Sequence, residues 1–330
     1  MSTSTPGKLV VAFGRALPPA LIDSLRQEFD VIVIPEPASA PAAFAEAIQG
    51  AHGLIGSSVK LTPDLLDPAR RLEVISSISV GYDNYDLDYL TRRNILLTNT
   101  PDVLTETTAD TGLVLLMAAA RRVVELAQYI RQGQWKQDIT PDLFGTDIHG
   151  RTLGIIGFGR IGQAVARRGH FGFNMNIVYW NRNPKPEAEV LQARYAPLDD
   201  LLQTSDFICV TLPLTAETTH LIGAREFALM QPHAIFVNIA RGRVVDEQAL
   251  ISALRRGAIR AAGLDVFQRE PLPADSPLLA MPNVVATPHI GSATRETRQA
   301  MAELAATNLR SALHGIRPPC LVNPAVWERR

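Results

Sequence analysis

The stretch Gly150-Arg-Thr-Leu-Gly-Ile-Ile-Gly-Phe-Gly-Arg-Ile-Gly162 constrains this chain more than any other. It reads as a short apolar strand over 152–156, a glycine turn, and a helix over 160–168. Gly157, Gly159 and Gly162 spell Gly-x-Gly-x-x-Gly. In a dinucleotide site the first glycine makes the tight turn and the second lets a pyrophosphate approach the backbone. The third lets the helix pack close to the strand, so helix N–H groups and the positive dipole end face the phosphates. The spelling alone is a weak signal. Here a second strand over 176–180 completes the strand–helix–strand context that the motif requires.

Strand and helix patterns alternate on both sides of this stretch. Strands are expected over 8–13, 31–34, 53–56, 72–76 and 95–98, with helices over 19–29, 41–49 and 86–92 between them. Beyond the glycine turn, strands are expected over 177–180, 207–212, 234–239, 261–264 and 284–286. Helices fit 198–202, 224–230 and 247–256, the last with Asp246 as N-cap. A final helix over 294–313 precedes a Pro318-Pro319 tail that returns to the first domain. The fold class is therefore α/β with two doubly wound parallel-sheet domains. Length agrees, because 330 residues exceed one ordinary core. The predicted division assigns 1–100 plus 290–330 to a discontinuous substrate domain and 101–289 to the dinucleotide-binding domain. Thr105 to Gln132 reads as one long helix, closed by Gly133 and buried on most sides. Residues 135–149 read as a loop or arm.

Other classes recede on composition. A net charge of −1 gives no case for nucleic acid or an anionic membrane surface. The apolar run 112–120 is too short to span a bilayer, and the N-terminal residues carry no signal-peptide pattern. Cys209 and Cys320 lie far apart without metal or redox spacing, so buried free thiols, no metal and a cytoplasmic location are expected.

Cofactor choice turns on a missing acid. An NAD site usually places Asp or Glu about 20 residues past the turn. Here the second strand is followed by Asn181-Arg182-Asn183-Pro184-Lys185, and 160–186 holds no acidic residue. Asn181 and Arg182 can instead take a 2′-phosphate, Arg182 through a bidentate guanidinium contact. NADP(H) is the expected cofactor, with NAD(H) as the alternative.

Ligands of open α/β sheets bind beyond the carboxyl ends of the strands. Arg241, Glu270 and His289 fall there, after the strands over 234–239, 261–264 and 284–286. Singly, each reads equally well as a surface charge, a turn acid or a loop histidine. Together they suit hydride-transfer chemistry. Arg241 can pair with a 2-keto acid carboxylate and polarise its carbonyl. His289 can donate the proton that a developing alkoxide needs, and Glu270 can orient the ring and keep it protonated.

These motifs carry a resemblance. Ser79-Val-Gly-Tyr-Asp-Asn84, the 153–162 turn, Asn238-Ile-Ala-Arg-Gly242, Gly263-Leu-Asp-Val-Phe267 with Glu270-Pro271, and Pro288-His-Ile-Gly-Ser-Ala-Thr294 resemble the D-isomer-specific 2-hydroxyacid dehydrogenase family over nearly the whole chain. Gly145-Thr-Asp-Ile-His149 and His170-Phe-Gly-Phe-Asn174 are similar to its bacterial glyoxylate/hydroxypyruvate reductase branch, which also reduces 2-ketogluconate. The resemblance implies a Rossmann domain and a flavodoxin-like domain with catalysis in the cleft between them. It implies a homodimer formed through the 135–149 region, with small 2-keto and 2-hydroxy acids as substrates. It implies that the Val80 and Gly81 amides hold the substrate carboxylate alongside Arg241 and His289. It adds Arg160, Ile161, Thr211, Pro213, Ile239 and Asp265 to the glycines on the cofactor side. A nucleotide-sensing, corepressor-like protein with little turnover is the alternative, since such relatives keep the Arg–Glu–His set.

Overall fold

The computed structural model describes residues 7–14, 17–57 and 59–330. The chain forms two compact units, one comprising residues up to 104 with 294–330 and the other 105–293. In the first, β1 (Leu9–Phe13), α1 (Pro19–Arg26), β2 (Asp30–Ile34), α2 (Pro41–Gln49) and β3 (Gly53–Gly56) alternate. They are followed by α3 (Pro63–Leu66), β4 (Val74–Ser77), α4 (Leu87–Arg92) and β5 (Leu96–Thr98). The strands form a parallel sheet of order β2-β1-β3-β4-β5, the flavodoxin-like arrangement. Parallel neighbours require crossovers, and the helices supply them while covering both faces. The central strands accordingly lack polar alternation: Val10, Val11, Leu54, Ile55, Val74 and Ile75 are all fully buried.

The second unit opens with α5 (Thr105–Ala120) and α6 (Val123–Arg131). The single helix expected over this region is thus two. Arg122 adopts a left-handed φ of 55° between them. Its guanidinium pairs with Glu125 one turn on. The Ala120 carbonyl accepts the Thr146 N–H at 2.8 Å, so the arm caps α5 where another turn would have continued. α5 is buried on most sides as expected, with Glu106, Asp110, Val114 and Met117 forming its one exposed stripe, whereas α6 has no buried residue.

The sheet then runs β6 (Thr152–Ile156), α7 (Arg160–Phe173), β7 (Asn176–Trp180), β8 (Arg194–Tyr195), α8 (Leu198–Thr204) and β9 (Phe207–Val210). It continues with α9 (Ala224–Leu229), β10 (Ile235–Asn238), α10 (Glu247–Arg255), β11 (Ala261–Leu264) and β12 (Val284–Ala286). Its seven strands are all parallel, in the order β12-β11-β10-β9-β6-β7-β8. The direction of winding reverses between β6 and β9, which sets the ligand crevice of such a sheet beside the glycine turn. The short edge strand β8 was not foreseen, having only two residues and no apolar run. Cys209, buried within β9, is a free thiol whose pKa burial pushes up to about 12. Cys320 likewise forms no disulfide but is only half-buried, contrary to expectation.

The chain returns to the first unit as α11 (Arg295–Leu313), capped by the Thr294 hydroxyl, and α12 (Pro324–Trp327). α11 packs on β3 and β4, where a side chain at Gly53 would meet Leu309 at 2.8 Å. Among the described residues, no helix is long and apolar enough to cross a membrane, and no cluster of His, Cys, Asp or Glu could hold a metal ion.

Candidate active site

The second unit brings the expected cofactor and catalytic residues to one end of its sheet. Gly157 leaves β6 with φ +97°, a conformation that glycine adopts without strain. Its N–H bonds the Trp180 carbonyl at 2.9 Å, which sets Asn181 and Arg182 beside the turn. Gly162 closes the motif by proximity: a Cβ there would lie 2.1 Å from the Gly157 carbonyl oxygen and 2.8 Å from Thr211 Oγ1. Gly159, the N-cap of α7, behaves differently, because a Cβ there would meet nothing within 4 Å. That open space, with no protein acceptor on the Gly159 and Ile161 amides among the described residues, fits a pyrophosphate at the helix N-terminus.

Several residues expected at the cofactor shape the turn itself. Asn181 accepts from the Phe158 N–H at 3.3 Å and donates to the Asn183 carbonyl at 3.0 Å, so both ends of its amide hold the loop. Arg182 stands exposed next to it. Thr211 donates its hydroxyl to the Gly157 carbonyl, the Pro213 carbonyl accepts from Thr218, and Ile239 is buried at the end of β10. Arg160 heads α7.

Arg241, Glu270 and His289 follow β10, β11 and β12, three neighbouring strands. His289 Nδ1 lies 2.7 Å from Glu270 Oε2. The other Glu270 oxygen accepts the Phe267 N–H at 3.0 Å, which fixes the carboxylate from behind. Burial acts to raise the Glu270 pKa. The hydrogen bond to His289, the Phe267 amide and the charges of His289 and Arg241 outweigh it and hold the carboxyl below the usual value of 4.5. The carboxylate therefore stays ionised opposite the imidazole, as a proton donor's partner must. Arg241 extends from backbone held by Asn238, whose side chain donates to the Arg241 carbonyl at 3.1 Å and accepts from Ala240 N–H at 3.0 Å.

Asp265, which the resemblance puts on the cofactor side, also holds the loop that carries His289. It is 1% exposed, and both carboxylate oxygens serve the loop that carries His289. One accepts from the Thr287 hydroxyl and the Ile290 N–H, both at 2.7 Å, and the other from the Gly291 N–H at 2.7 Å. The Asp265 carbonyl accepts the His289 N–H at 2.9 Å. These bonds hold His289 at φ 53°, a left-handed conformation that costs a non-glycine residue about 1 kcal/mol. Asn238 and Thr287 were missed as positioning residues. The available signal was a buried asparagine ending the otherwise apolar Ile-Phe-Val-Asn strand.

In the first unit, Val80 and Gly81 lie just past β4. Three successive carbonyls there have protein donors: Ser79 from the Thr100 N–H at 2.9 Å, Val80 from Asn99 Nδ2 at 2.9 Å, and Gly81 from the Ser79 hydroxyl at 2.5 Å. The Val80 and Gly81 N–H groups have no acceptor among the described residues.

A parallel sheet with its glycine turn at the switch point, and an acid–base pair with an arginine at adjoining strand ends, is the build of a nucleotide-dependent dehydrogenase. Residues 113–291 match the family profile described as D-isomer specific 2-hydroxyacid dehydrogenase, NAD binding domain. The chain is 55% identical over 314 residues to the glyoxylate/hydroxypyruvate reductase B of Escherichia fergusonii, covering 94% of this chain and 97% of that one. It is 53% identical to the protein of the same name from Klebsiella pneumoniae, with 94% and 97% covered. A solved Thermus thermophilus protein superposes with a TM-score of 0.88 at 45% identity, covering 95% of this chain and 99% of the other. The NADPH-dependent glyoxylate/hydroxypyruvate reductase of Sinorhizobium meliloti, solved with NADP and malonate, gives 0.86 at 35% identity, with 97% of each chain covered. The chain belongs to the D-isomer specific 2-hydroxyacid dehydrogenase family.

Proposed function

We propose that this protein reduces small 2-keto acids, glyoxylate and hydroxypyruvate foremost and 2-ketogluconate as a further substrate, to D-2-hydroxy acids at the expense of NADPH. The observation that carries the reading is the His289–Glu270 pair at 2.7 Å, with Arg241 on the adjoining strand end. When bound, the nicotinamide supplies the hydride to C2. Arg241 pairs with the substrate carboxylate and polarises the carbonyl. His289 gives its proton to the alkoxide oxygen, and Glu270 holds the ring and stabilises its charged form. The Val80 and Gly81 N–H groups take the substrate carboxylate as well. Arg182 takes the 2′-phosphate, and the Gly159 and Ile161 amides at the start of α7 take the pyrophosphate. The Sinorhizobium meliloti relative, solved with NADP, supports the cofactor choice.

The protein is cytoplasmic and a homodimer in this reading. Support for the dimer comes from the family resemblance and from apolar side chains left in water: Val114, Val123, Ile130, Trp135, Ile139 and Phe144 are each more than half exposed. No observation favours the sensing alternative. A kinetic panel of 2-keto acids against NADPH and NADH tests the reading. Turnover of glyoxylate and hydroxypyruvate with a clear NADPH preference is expected, and equal efficiency with both cofactors would remove the role given to Arg182.

A further inference from the structure

We propose that Asn99 is a positioning residue for substrate binding, aiming the Gly81 N–H at the substrate carboxylate through the Val80 carbonyl. The inference rests on the reading that the Val80 and Gly81 amides take that carboxylate. A trans peptide is planar, and its C=O and N–H point to opposite sides. The unit joining Val80 to Gly81 therefore has its N–H direction fixed by whatever holds the Val80 carbonyl. Asn99 Nδ2 holds it at 2.9 Å. The preceding unit is held likewise, because the Thr100 N–H bonds the Ser79 carbonyl at 2.9 Å and so directs the Val80 N–H. With the Gly81 carbonyl bonded to the Ser79 hydroxyl, the three carbonyls of residues 79–81 are all engaged, while the Val80 and Gly81 N–H groups have no acceptor among the described residues. Successive free N–H groups on one short segment form an anion-binding concavity.

Asn99 is itself clamped. Its carbonyl accepts from Asn308 Nδ2 at 3.0 Å, and its N–H reaches the Cys320 carbonyl at 3.4 Å. Asn308 is fully buried on α11, and its Oδ1 accepts the Cys320 N–H at 3.1 Å. The line from Asn308 through Asn99 to Val80 thus ties the loop to the most buried helix of the first unit. A residue that only filled the loop would need no such backing.

The test uses the full-length protein with NADPH and glyoxylate, together with residue-resolved amide exchange in the presence and absence of malonate. Asn99→Ala should raise the KM for glyoxylate roughly three- to tenfold, the worth of one hydrogen bond to a neutral partner. The loss falls on an interaction made equally before and during reaction, so kcat should fall by less than KM rises and the NADPH Kd should stay put. Asn99→Asp keeps the shape but sets a carboxylate against the Val80 carbonyl, and it should be at least as impaired. Should Asn99→Ala fail to fold, Asn99→Asp carries the same comparison. In the wild type, malonate should slow exchange at Gly81, and in the variants this protection should shrink. Protection in the wild type with unchanged KM and unchanged protection in both variants would overturn the role of Asn99. Absence of any protection at Val80 and Gly81 in the wild type would instead overturn the underlying substrate assignment, and the proposal with it.

Discussion

The two sheets of this molecule share a plan but end in different chemistry. Both are parallel and reverse their winding at an interior strand, and in both a glycine with positive φ follows the first strand, Gly14 in one and Gly157 in the other. The helices that follow differ. In the first unit, α1, α2 and α3 each begin with proline, which has no N–H to offer. In the second, α7 begins with Gly-Arg-Ile-Gly, and open space lies beside its first turn. Charged groups divide the same way. Arg241, Glu270 and His289 stand at strand ends of the second unit, whereas the first presents the Val80 and Gly81 backbone amides. In the proposed reading, one architecture hosts a phosphate cradle with acid–base chemistry in one copy and a backbone anion loop in the other. Side chains at strand ends make the difference.

The largest way to break this contrast is at His289. His289→Asn should lower kcat by roughly 10²- to 10⁴-fold, the usual worth of a positioned acid, while NADPH affinity measured by fluorescence stays near wild type. Near-wild-type turnover would remove the acid role. Next comes the cradle itself. Gly162→Ala drives a methyl toward the Gly157 carbonyl, and overpacking of this kind costs about 1–3 kcal/mol. Thermal melting should show the loss, with weakened NADPH binding, whereas Gly159→Ala, with open space around its Cβ, should keep its melting temperature and lose cofactor affinity alone. A smaller effect is expected at Arg182, where exchange for alanine should weaken NADPH about tenfold and leave NADH binding unchanged. The smallest concerns pH. Glu270 has a folded pKa below 4.5, so its contribution is present above that value and lost as pH falls through the lowered one. Acid-side activity should therefore show no Glu270-dependent loss down to about pH 5, and a titration comparing wild type with Glu270→Gln would reveal one.

Much of this was legible in the sequence because it rests on local patterns. The strands over 53–56 and 176–180 and the helix over 41–49 fall at their expected residues, each set by apolar runs bounded by glycine, proline or polar turns. The glycine turn was legible for the same reason. What escaped depended on contacts between distant segments. The break at Arg122 follows from the arm returning to cap Ala120, and no periodicity encodes that return. The motif makes the position of Asp265 visible, but not its part in holding the His289 loop. Its bonds to Thr287, Ile290 and Gly291 appear only once β11 and β12 lie side by side. Asn99 was silent for the same reason, since its partners lie 19 and 209 residues away.

The central claim is that the cradle and the strand-end residues together make a reductase. A single-turnover experiment tests it most directly. Wild-type protein in excess over NADPH is mixed with glyoxylate, and both the oxidation of the bound nucleotide and its retention are followed. The account predicts that bound NADPH is consumed completely, with glycolate formed in equal amount. NADPH that stays bound and unoxidised in the presence of glyoxylate and hydroxypyruvate would contradict it.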